Sequence, residues 1–301
     1  MARYKWKSSP TAIRNLAILA VAVILLLWLM ISCTAHSIRQ SKANKQFRKL
    51  AATVAVDREA YEMQNLTFPS GRVVNASTTP LPDVISEYIW FYYHQDLFPA
   101  GSIRLAKGNP DYTHFLYRYG NDNYSTYAGE ITLTTAEASE TVPHLYQYDP
   151  RWGFEEYFDT MIGLDGDGPT AVSMCLIALT GDTKLNPKVV AQYAIDNSLY
   201  YEGYGTAWAL VPYCAEEYKL ECKEVILDRY AMENELDQGN VMIIVLEGSP
   251  NYSTAHFLVL TGYDVQGFFV NDPVSPANSR VRWAYEDLEE YIVAIWSLSK
   301  E

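Results

Sequence analysis

A glycine-rich segment, Ile162–Thr170, is where residue type and spacing most directly suggest chemistry. It runs Ile-Gly-Leu-Asp-Gly-Asp-Gly-Pro-Thr and leads into the apolar stretch Ala171–Gly181. Glycine and proline ahead of such a stretch predict the start of a helix. The free backbone N–H groups at a helix start favour an anion, and Asp167 supplies a carboxylate there. The segment therefore predicts a negative charge held at a helix N-terminus.

The carboxylates of Asp165 and Asp167 also raise the question of a metal site. With His256 they would form a ligand set of two carboxylates and one imidazole, which is chemically possible. The Asp-Gly-Asp-Gly spacing is not that of a calcium loop, because the series of oxygen ligands stops. His94 and His114 lie among aromatic residues and are expected to contribute to packing. We expect no resident metal and no cofactor, and keep metal-assisted chemistry as an alternative.

The cysteines of the C-terminal half offer no evident nucleophile. Cys175 lies eight residues beyond Asp167, roughly two helical turns further along the apolar stretch. It is expected to be a small core residue. Cys214 and Cys222 fall at a predicted helix end and a predicted strand start. An exported compartment would permit a disulfide between them, but the sequence does not give the geometry, so this pairing stays open.

Six short motifs follow one another over the C-terminal 160 residues or so. Beside the glycine-rich segment they are Gln147–Trp152, Gly181–Thr183, Gly203–Trp208, Ala255–Gly262 and Val270–Pro273. Their order resembles the bacterial papain-like cysteine peptidases related to the double-glycine, bacteriocin-leader peptidases (cysteine peptidase family thirty-nine). Each motif alone is weak, whereas six in the family's order are a strong signal. The resemblance implies an α+β, papain-like fold, with a helical half followed by an antiparallel β-sheet half.

The resemblance also implies roles for individual residues. The family's nucleophile is the Cys of Gly-Cys-Gly-Pro-Thr, and the matching position here is Asp167. His256 matches the general base, and Asp272 matches the residue that orients it, with Asn271 as the near alternative. Gln147 matches the oxyanion-hole donor. A carboxylate attacks an amide far less readily than a thiolate does, so the resemblance implies a peptidase fold with a substituted nucleophile.

An aspartate at this position has a predicted electrostatic consequence. Asp167 would pair with protonated His256 and raise the pKa of the imidazole. A stable ion pair would fill the catalytic position instead of activating it. The simpler alternative is that Asp167 only caps its helix.

The elements that must position these residues run from helices to strands, which favours an α+β domain. Upstream helices are predicted to begin at Asp83 and Asn109, and the region 83–120 is expected to be a small packing subdomain rather than a site. Residues 121–141 are polar and are expected to form a connector. After the helix that follows Pro169, the pattern predicts helices over 187–197 and from about 206 to 218. It then predicts strands over Cys222–Leu227, Val241–Leu246, His256–Gly262 and Phe268–Asn271.

The charge is divided unevenly along the chain. Of the 301 residues, the first fifty hold nine Lys or Arg and no acidic residue, whereas the formal net charge of the whole chain is −13. The remainder is therefore strongly acidic, with a net charge of −22. An acidic body repels phosphates, so nucleic acid is not expected as a partner.

The basic head contains the predicted membrane segment. Between Arg14 and Arg39 lie twenty-four residues without a charge, long enough as a helix to cross a hydrocarbon core of about 30 Å. A cleaved signal peptide and a lipoprotein anchored at Cys33 are the alternatives. Positive charges flank both ends, so charge alone does not fix the orientation. We expect a single-pass cell-membrane protein whose C-terminal domain is extracytoplasmic.

The sequence thus predicts five regions and three competing functions. The first hypothesis is an inactive papain-fold pseudopeptidase that binds peptide or a protein partner in its cleft. The alternatives are an active hydrolase with Asp-based or metal-assisted chemistry and a structural interaction protein of the cell envelope. The predicted regions are a cytoplasmic tail (1–15), a transmembrane helix (16–38), a stalk and linker (39–82), a helical lead-in (83–141) and the peptidase-like domain (142–301).

Overall fold

The computed structural model describes residues 65–67, 73–75, 85–106, 109–249, 252 and 254–301. The predicted tail, the predicted transmembrane helix and the possible lipid attachment site Cys33 lie outside these ranges. Within them, no helix combines the length and apolar character needed to cross a membrane.

The helices fall mainly in the first part of the described chain. They are α1 (Ile85–Tyr93), α2 (Ala100–Ala106), α3 (Pro110–Gly120), α4 (Thr135–Ser139), α5 (Ile162–Asp165), α6 (Asp167–Thr180), α7 (Pro187–Asp196), α8 (Leu210–Glu217), α9 (Arg229–Asp237), α10 (Pro276–Ser279) and α11 (Tyr285–Leu288), with a 3₁₀ turn at Gln95–Leu97. The strands are β1 (Asn65–Thr67), β2 (Val73–Asn75), β3 (Glu156–Tyr157), β4 (Thr160–Met161), β5 (Tyr200–Tyr201), β6 (Gly205–Thr206), β7 (Leu220–Glu224), β8 (Val241–Leu246), β9 (His256–Asp264), β10 (Gly267–Asn271) and β11 (Ile292–Lys300).

Five strands form the main sheet, in the order β10-β9-β8-β11-β7, with every neighbouring pair antiparallel. Strand β8 is buried along its whole length because both faces of the sheet are covered. Successive side chains of a strand point to opposite faces. Val241, Ile243 and Val245 accordingly join one apolar cluster, which includes α6. Met242 and Ile244 join a second cluster on the other face.

Helix α6 begins at Asp167, and its core position follows from its composition. Its residues from Gly168 to Ile177 are all buried, because the helix is apolar on every side and packs between α7, α8 and the sheet. It ends at Gly181, whose φ of 76° is a left-handed conformation that glycine adopts without strain. A helix held this firmly fixes the direction in which its first residue points.

The lead-in forms a third apolar cluster against the body. Phe91, Phe98 and Phe115 pack with Tyr148 and Phe154 of the C-terminal half. Asn109 links the lead-in to the body. Its side chain accepts from the N–H of Tyr112 at 3.1 Å, capping α3, and donates to the carbonyl of Val274 at 2.7 Å. The lead-in is therefore tied to the loop that follows β10.

Several local predictions need correction. The stalk and linker predicted over 39–82 contain the antiparallel pair β1 and β2. The strand predicted over Cys222–Leu227 instead spans Leu220–Glu224, since Asp228 caps α9 by accepting from the N–H of Ala231. Helix α9 and strand β11 were not predicted, and the polar connector contains α4. Strand β11 inserts between β8 and β7, so it completes the sheet rather than extending it.

Candidate functional site

A cavity of about 200 Å³ lies where α6 begins, β9 begins and the lead-in meets the body. Asp167 and His256 line it together with Gln147 and Asp165. The lead-in contributes to its wall as well as to packing, through Pro99, Gly101, Ser102, Leu105 and Tyr112. The loop around β5 and β6 supplies the remaining aromatic rim, through Tyr200 and Tyr204.

Asp167 is the first residue of α6, and its carboxylate faces the start of β9. Its Oδ2 lies 2.8 Å from Nδ1 of His256 and accepts from the N–H of Phe257 at 3.0 Å. Its Oδ1 accepts from the N–H of Gly168 at 2.9 Å. Glycine is required at the second position because a Cβ on Gly168 would lie 2.6 Å from Cγ2 of Thr206. Asp167 therefore does more than cap its helix, since it bridges to the neighbouring strand.

His256 is held between two carboxylates. Its Nε2 lies 3.1 Å from Oδ1 of Asp272, opposite the contact with Asp167, and the ring of Tyr252 stacks on it at 3.9 Å between centroids. Burial disfavours the charged imidazole, but the charge of Asp272 and the hydrogen bonds to both carboxylates outweigh it. The pKa of His256 is raised to about 9. This is the direction expected from the sequence.

Asp272 is fully buried, and all its acceptor capacity is used. Besides His256, it accepts from the hydroxyl of Tyr252 at 2.6 Å and from the side-chain amide of Asn278 at 2.7 Å. The backbone N–H groups of Val274 and Ser275 complete the set at 2.8 and 3.0 Å. Burial raises the pKa of this carboxyl, but His256 and these donors outweigh burial, so the pKa lies below its ordinary value.

The structure distinguishes Asp272 from the near alternative Asn271. The side-chain amide of Asn271 donates to the carbonyl of Val142 at 3.2 Å and is not hydrogen-bonded to the imidazole of His256. The residue that contacts Nε2 of His256 is Asp272. The pairing implied by the resemblance is therefore available to Asp272 alone of the two.

Gln147 lies beside the cavity, with its amide turned toward α5. Its Nε2 donates to the carbonyls of Gly163 and Leu164, both at 3.0 Å, so both N–H bonds are engaged. Its Oε1 is buried and has no hydrogen-bond partner in the described part of the chain. In this arrangement the unpaired side-chain atom of Gln147 is an acceptor, whereas the predicted oxyanion-hole role requires a donor.

Asp165 is a half-buried carboxylate on the cavity wall. It has no hydrogen bond or ion pair within the residues described. Burial, followed by the charges of Asp167 and Asp159, raises its pKa to about 6. Its role was not predicted beyond the metal alternative, and no cluster of three or more His, Cys, Asp or Glu with metal-binding geometry occurs in the described ranges.

Three further residues of the site were missed in the sequence. Tyr252 and Asn278 both bind Asp272, and Asn278 also donates to the hydroxyl of Tyr252 at 2.7 Å. His144 lies 2.9 Å from the carbonyl of Asp272, and burial lowers the pKa of its imidazole. None of the three stands at a sequence spacing that indicates a functional role. Only the nearby Asn-Asp-Pro motif could have drawn attention to Asn278.

The described cysteines are free thiols and stand apart from the cavity. Cys175 is completely buried in α6, as predicted for a core residue. Burial raises the pKa of Cys214 to about 12 and that of Cys222 to about 11. No disulfide joins Cys214 to Cys222. The site thus stabilises a buried imidazolium between two carboxylates, with no thiolate among the residues that line it.

The chain was compared with solved structures and with curated proteins. Two solved peptidase structures resemble the chain. One is the peptidase domain of Streptococcus ComA, a bi-functional ABC transporter of a quorum-sensing pathway (14% identity, TM-score 0.36, 46% of this chain and 93% of that chain). The other is a C39-like peptidase from Bacillus anthracis (16% identity, TM-score 0.38, 53% of this chain and 95% of that chain). No curated protein matched.

The family model gives the decisive comparison. The model described as Peptidase_C39-like family matches residues 139–301, which is more than half of the chain. This range contains Gln147, the whole of α6, His256 and Asp272. The mixed helices and antiparallel sheet agree with that assignment. The protein therefore belongs to the Peptidase_C39-like family.

Proposed function

We propose that the protein is a membrane-anchored, extracytoplasmic pseudopeptidase that binds a peptide or protein partner in its cleft without cleaving it. The observation that carries the proposal is the 2.8 Å contact between Asp167 and His256. On this proposal Asp167 occupies the position of the family's thiol nucleophile. The retained cleft then serves recognition.

Two physical arguments support the absence of peptidase chemistry. A carboxylate is a poor nucleophile toward an amide, and its acyl product would be a mixed anhydride. A general base must also be able to take up a proton. With the pKa of His256 raised to about 9, the imidazole is already protonated at neutral pH, and both its nitrogens face carboxylates.

Support for binding comes from what the cleft retains. The cavity still lies between α6 and β9 and is still lined by aromatic and polar side chains. Tyr204 is 85% exposed at its rim and offers apolar area with a polar tip, which suits contact with a ligand.

Activity and binding are tested together on the full-length chain in detergent. A quenched fluorescent peptide pool should show no hydrolysis, whereas the same peptides, labelled singly, should raise fluorescence anisotropy on binding. Hydrolysis that disappears in His256→Ala would contradict the proposal and favour the hydrolase alternative. Neither hydrolysis nor binding would contradict it too, and would favour the envelope-interaction alternative.

Restoring a thiol tests whether Asp167 stands at the nucleophile position. In Asp167→Cys, the helix N-terminus and protonated His256 should lower the pKa of the new thiol. Iodoacetamide should then label it at pH 6 faster than in the matched double variant Asp167→Cys/His256→Ala. Gain of peptidase activity would be the strongest support. Equal labelling rates would show that position 167 is not coupled to the imidazole and would contradict its assignment as the nucleophile position.

The membrane anchor rests on the uncharged segment of the head, and it needs its own experiment. Membranes washed with alkaline carbonate should retain the chain, and protease added outside spheroplasts should degrade the C-terminal domain. Release into the supernatant, or full protection from protease, would contradict the proposed anchor or orientation. Cys33→Ala should remain in the membrane, whereas its release would favour the lipoprotein alternative.

A further inference from the structure

The wall of the cavity beside α6 is rich in acceptors and poor in donors. Asp165 carries a carboxylate with no hydrogen bond or ion pair within the described ranges. Asp167 adds a second carboxylate, although it is already paired with His256. The imidazolium of His256 balances only one of its two carboxylate partners, Asp167 and Asp272. With Asp165 added, the group keeps a net negative charge.

A second, independent feature also calls for a donor. Gln147 is 2% exposed, lines the cavity and leaves its Oε1 without a partner. A buried acceptor without a hydrogen bond costs roughly 1–3 kcal/mol, so such groups are rare without a reason. The amide cannot be turned to relieve this, since its Nε2 already donates to two carbonyls. A ligand that donates N–H bonds would satisfy Gln147 and Asp165 together.

The rest of the lining suits a cation. Tyr200, Tyr204 and Tyr252 line the cavity. Ring faces attract ammonium and guanidinium groups, and their hydroxyls carry no charge at neutral pH. The cavity, about 200 Å³, has room for the end of one long side chain. An anion or a scissile carbonyl would meet two carboxylates here.

We propose that this cleft recognises the cationic side chain of a basic peptide residue, lysine or arginine, with Asp165 as its counter-ion and Gln147 Oε1 as a further acceptor. The inference rests on the proposed function, because it names the class of peptide that the inactive cleft would bind. It replaces recognition of a reacting carbonyl by recognition of a charge.

The experiment compares three fluorescent pentapeptide pools with identical random flanks on the full-length protein in detergent. Their central residue is lysine, Nε-acetyl-lysine or leucine, so that acetylation removes only the charge and changes the shape little. We expect the lysine pool to bind at least tenfold more tightly than either neutral pool. In Asp165→Asn this preference should fall to within about twofold. Asp122→Asn is the matched control. It removes the same charge at an exposed position away from the cavity, where asparagine tolerates the φ of 51°, and it should keep the preference.

Each other result overturns a defined part of the argument. Equal binding of the lysine and neutral pools would refute the cationic site and leave peptide binding intact. Binding by no pool would refute the proposed function together with the inference. A lysine preference that survives in Asp165→Asn, or is lost equally in Asp122→Asn, would mean that overall negative charge attracts the peptide, and would overturn the assigned site. If n-butylammonium alone, at the peptide concentration, displaced the lysine pool, the site would be one for free amines and the peptide assignment would fail.

Discussion

The two sides of His256 differ in how fully their hydrogen-bond acceptors are paired. On one side, Asp272 is completely buried and accepts hydrogen bonds from two side chains and two backbone N–H groups, besides its contact with the imidazole. On the other side, Asp165 has no hydrogen-bond partner among the described residues, and Gln147 Oε1 is unsatisfied. The first side is a closed hydrogen-bond network, whereas the second leaves acceptors without partners among the described residues.

The contrast bears on the proposed absence of peptidase chemistry. His256 and Asp272 make the hydrogen-bonded contact that the family resemblance implies. Asp167, which the proposal puts at the nucleophile position, lies between the two sides, and its Oδ2 contacts both the imidazole of His256 and the backbone N–H of Phe257. We infer that the hydrogen bonds of Asp272 are kept because they stabilise the loop after β10 independently of catalysis.

The largest predicted effect comes from breaking the closed side. Asp272→Ala leaves His256 paired on one side only and leaves the donors of Tyr252 and Asn278 without their acceptor. Removing one partner of a buried charged pair costs about 3–5 kcal/mol, so the free energy of unfolding should fall by that amount. Urea denaturation followed by tryptophan fluorescence measures it. Asp165→Ala, on the open side, is the comparison and should cost less than about 0.5 kcal/mol or stabilise. Equal losses for both variants would abolish the distinction between the two sides.

The second prediction concerns the pH dependence of the imidazolium. The pKa of His256 is raised to about 9 in the folded protein, from about 6.5 when unfolded. Stability from this proton is therefore complete below about pH 6.5 and is lost as pH rises through 9, by at most about 3 kcal/mol. Urea midpoints between pH 6 and 9.5 should decline in the wild type and decline less in His256→Gln. An NMR titration placing the pKa of His256 below 6.5 would contradict the ion pair.

These effects also mark how much could be predicted from the sequence. Asp167, His256, Asp272 and Gln147 were identified because they stand in motifs whose order resembles one family, and the structure brings all four to one cavity or its edge. The central strand Val241–Leu246 was predicted with the bounds that the structure has, because it is apolar on both faces. Signals of this kind are local and survive without tertiary information.

The missed features depend on contacts between distant segments. Tyr252 and Asn278 both donate to Oδ2 of Asp272, but they are 26 residues apart in sequence and no spacing rule joins them. The amide orientation of Gln147 depends on carbonyls in α5. Strand β11 pairs with β8 across more than forty residues, so its partner gives no sequence signal. The place of the lead-in at the cavity wall was missed for the same reason, because it depends on packing between its aromatic residues and those of the body.

The third prediction addresses the open side through its own titration. The pKa of Asp165 is raised to about 6 in the folded protein, from about 4 in the unfolded chain. The protonated form is favoured by folding, so its stabilisation is complete below pH 4 and is lost as pH rises through 6, by at most about 3 kcal/mol. Asp165→Asn should therefore be more stable than the wild type at pH 7.5 and no more stable at pH 4. An equal difference at both pH values would show that the carboxylate is not held out of water.

The smallest predicted effect separates the neighbours Asn271 and Asp272. Asn271→Ala removes one partly buried hydrogen bond, from the side-chain amide to the carbonyl of Val142. A single bond of this kind contributes about 1 kcal/mol, so the free energy of unfolding should fall by about that amount. The imidazole is not its partner, so the NMR-measured pKa of His256 should stay within 0.3 of the wild-type value, a margin of about 0.4 kcal/mol. In Asp272→Asn, by contrast, the same pKa should fall by more than one unit, because the charge that holds the proton is removed. If Asn271→Ala shifted the pKa as far as Asp272→Asn, the orienting role would be shared by both residues. The closed side would then extend along the chain beyond the single carboxylate assigned to it.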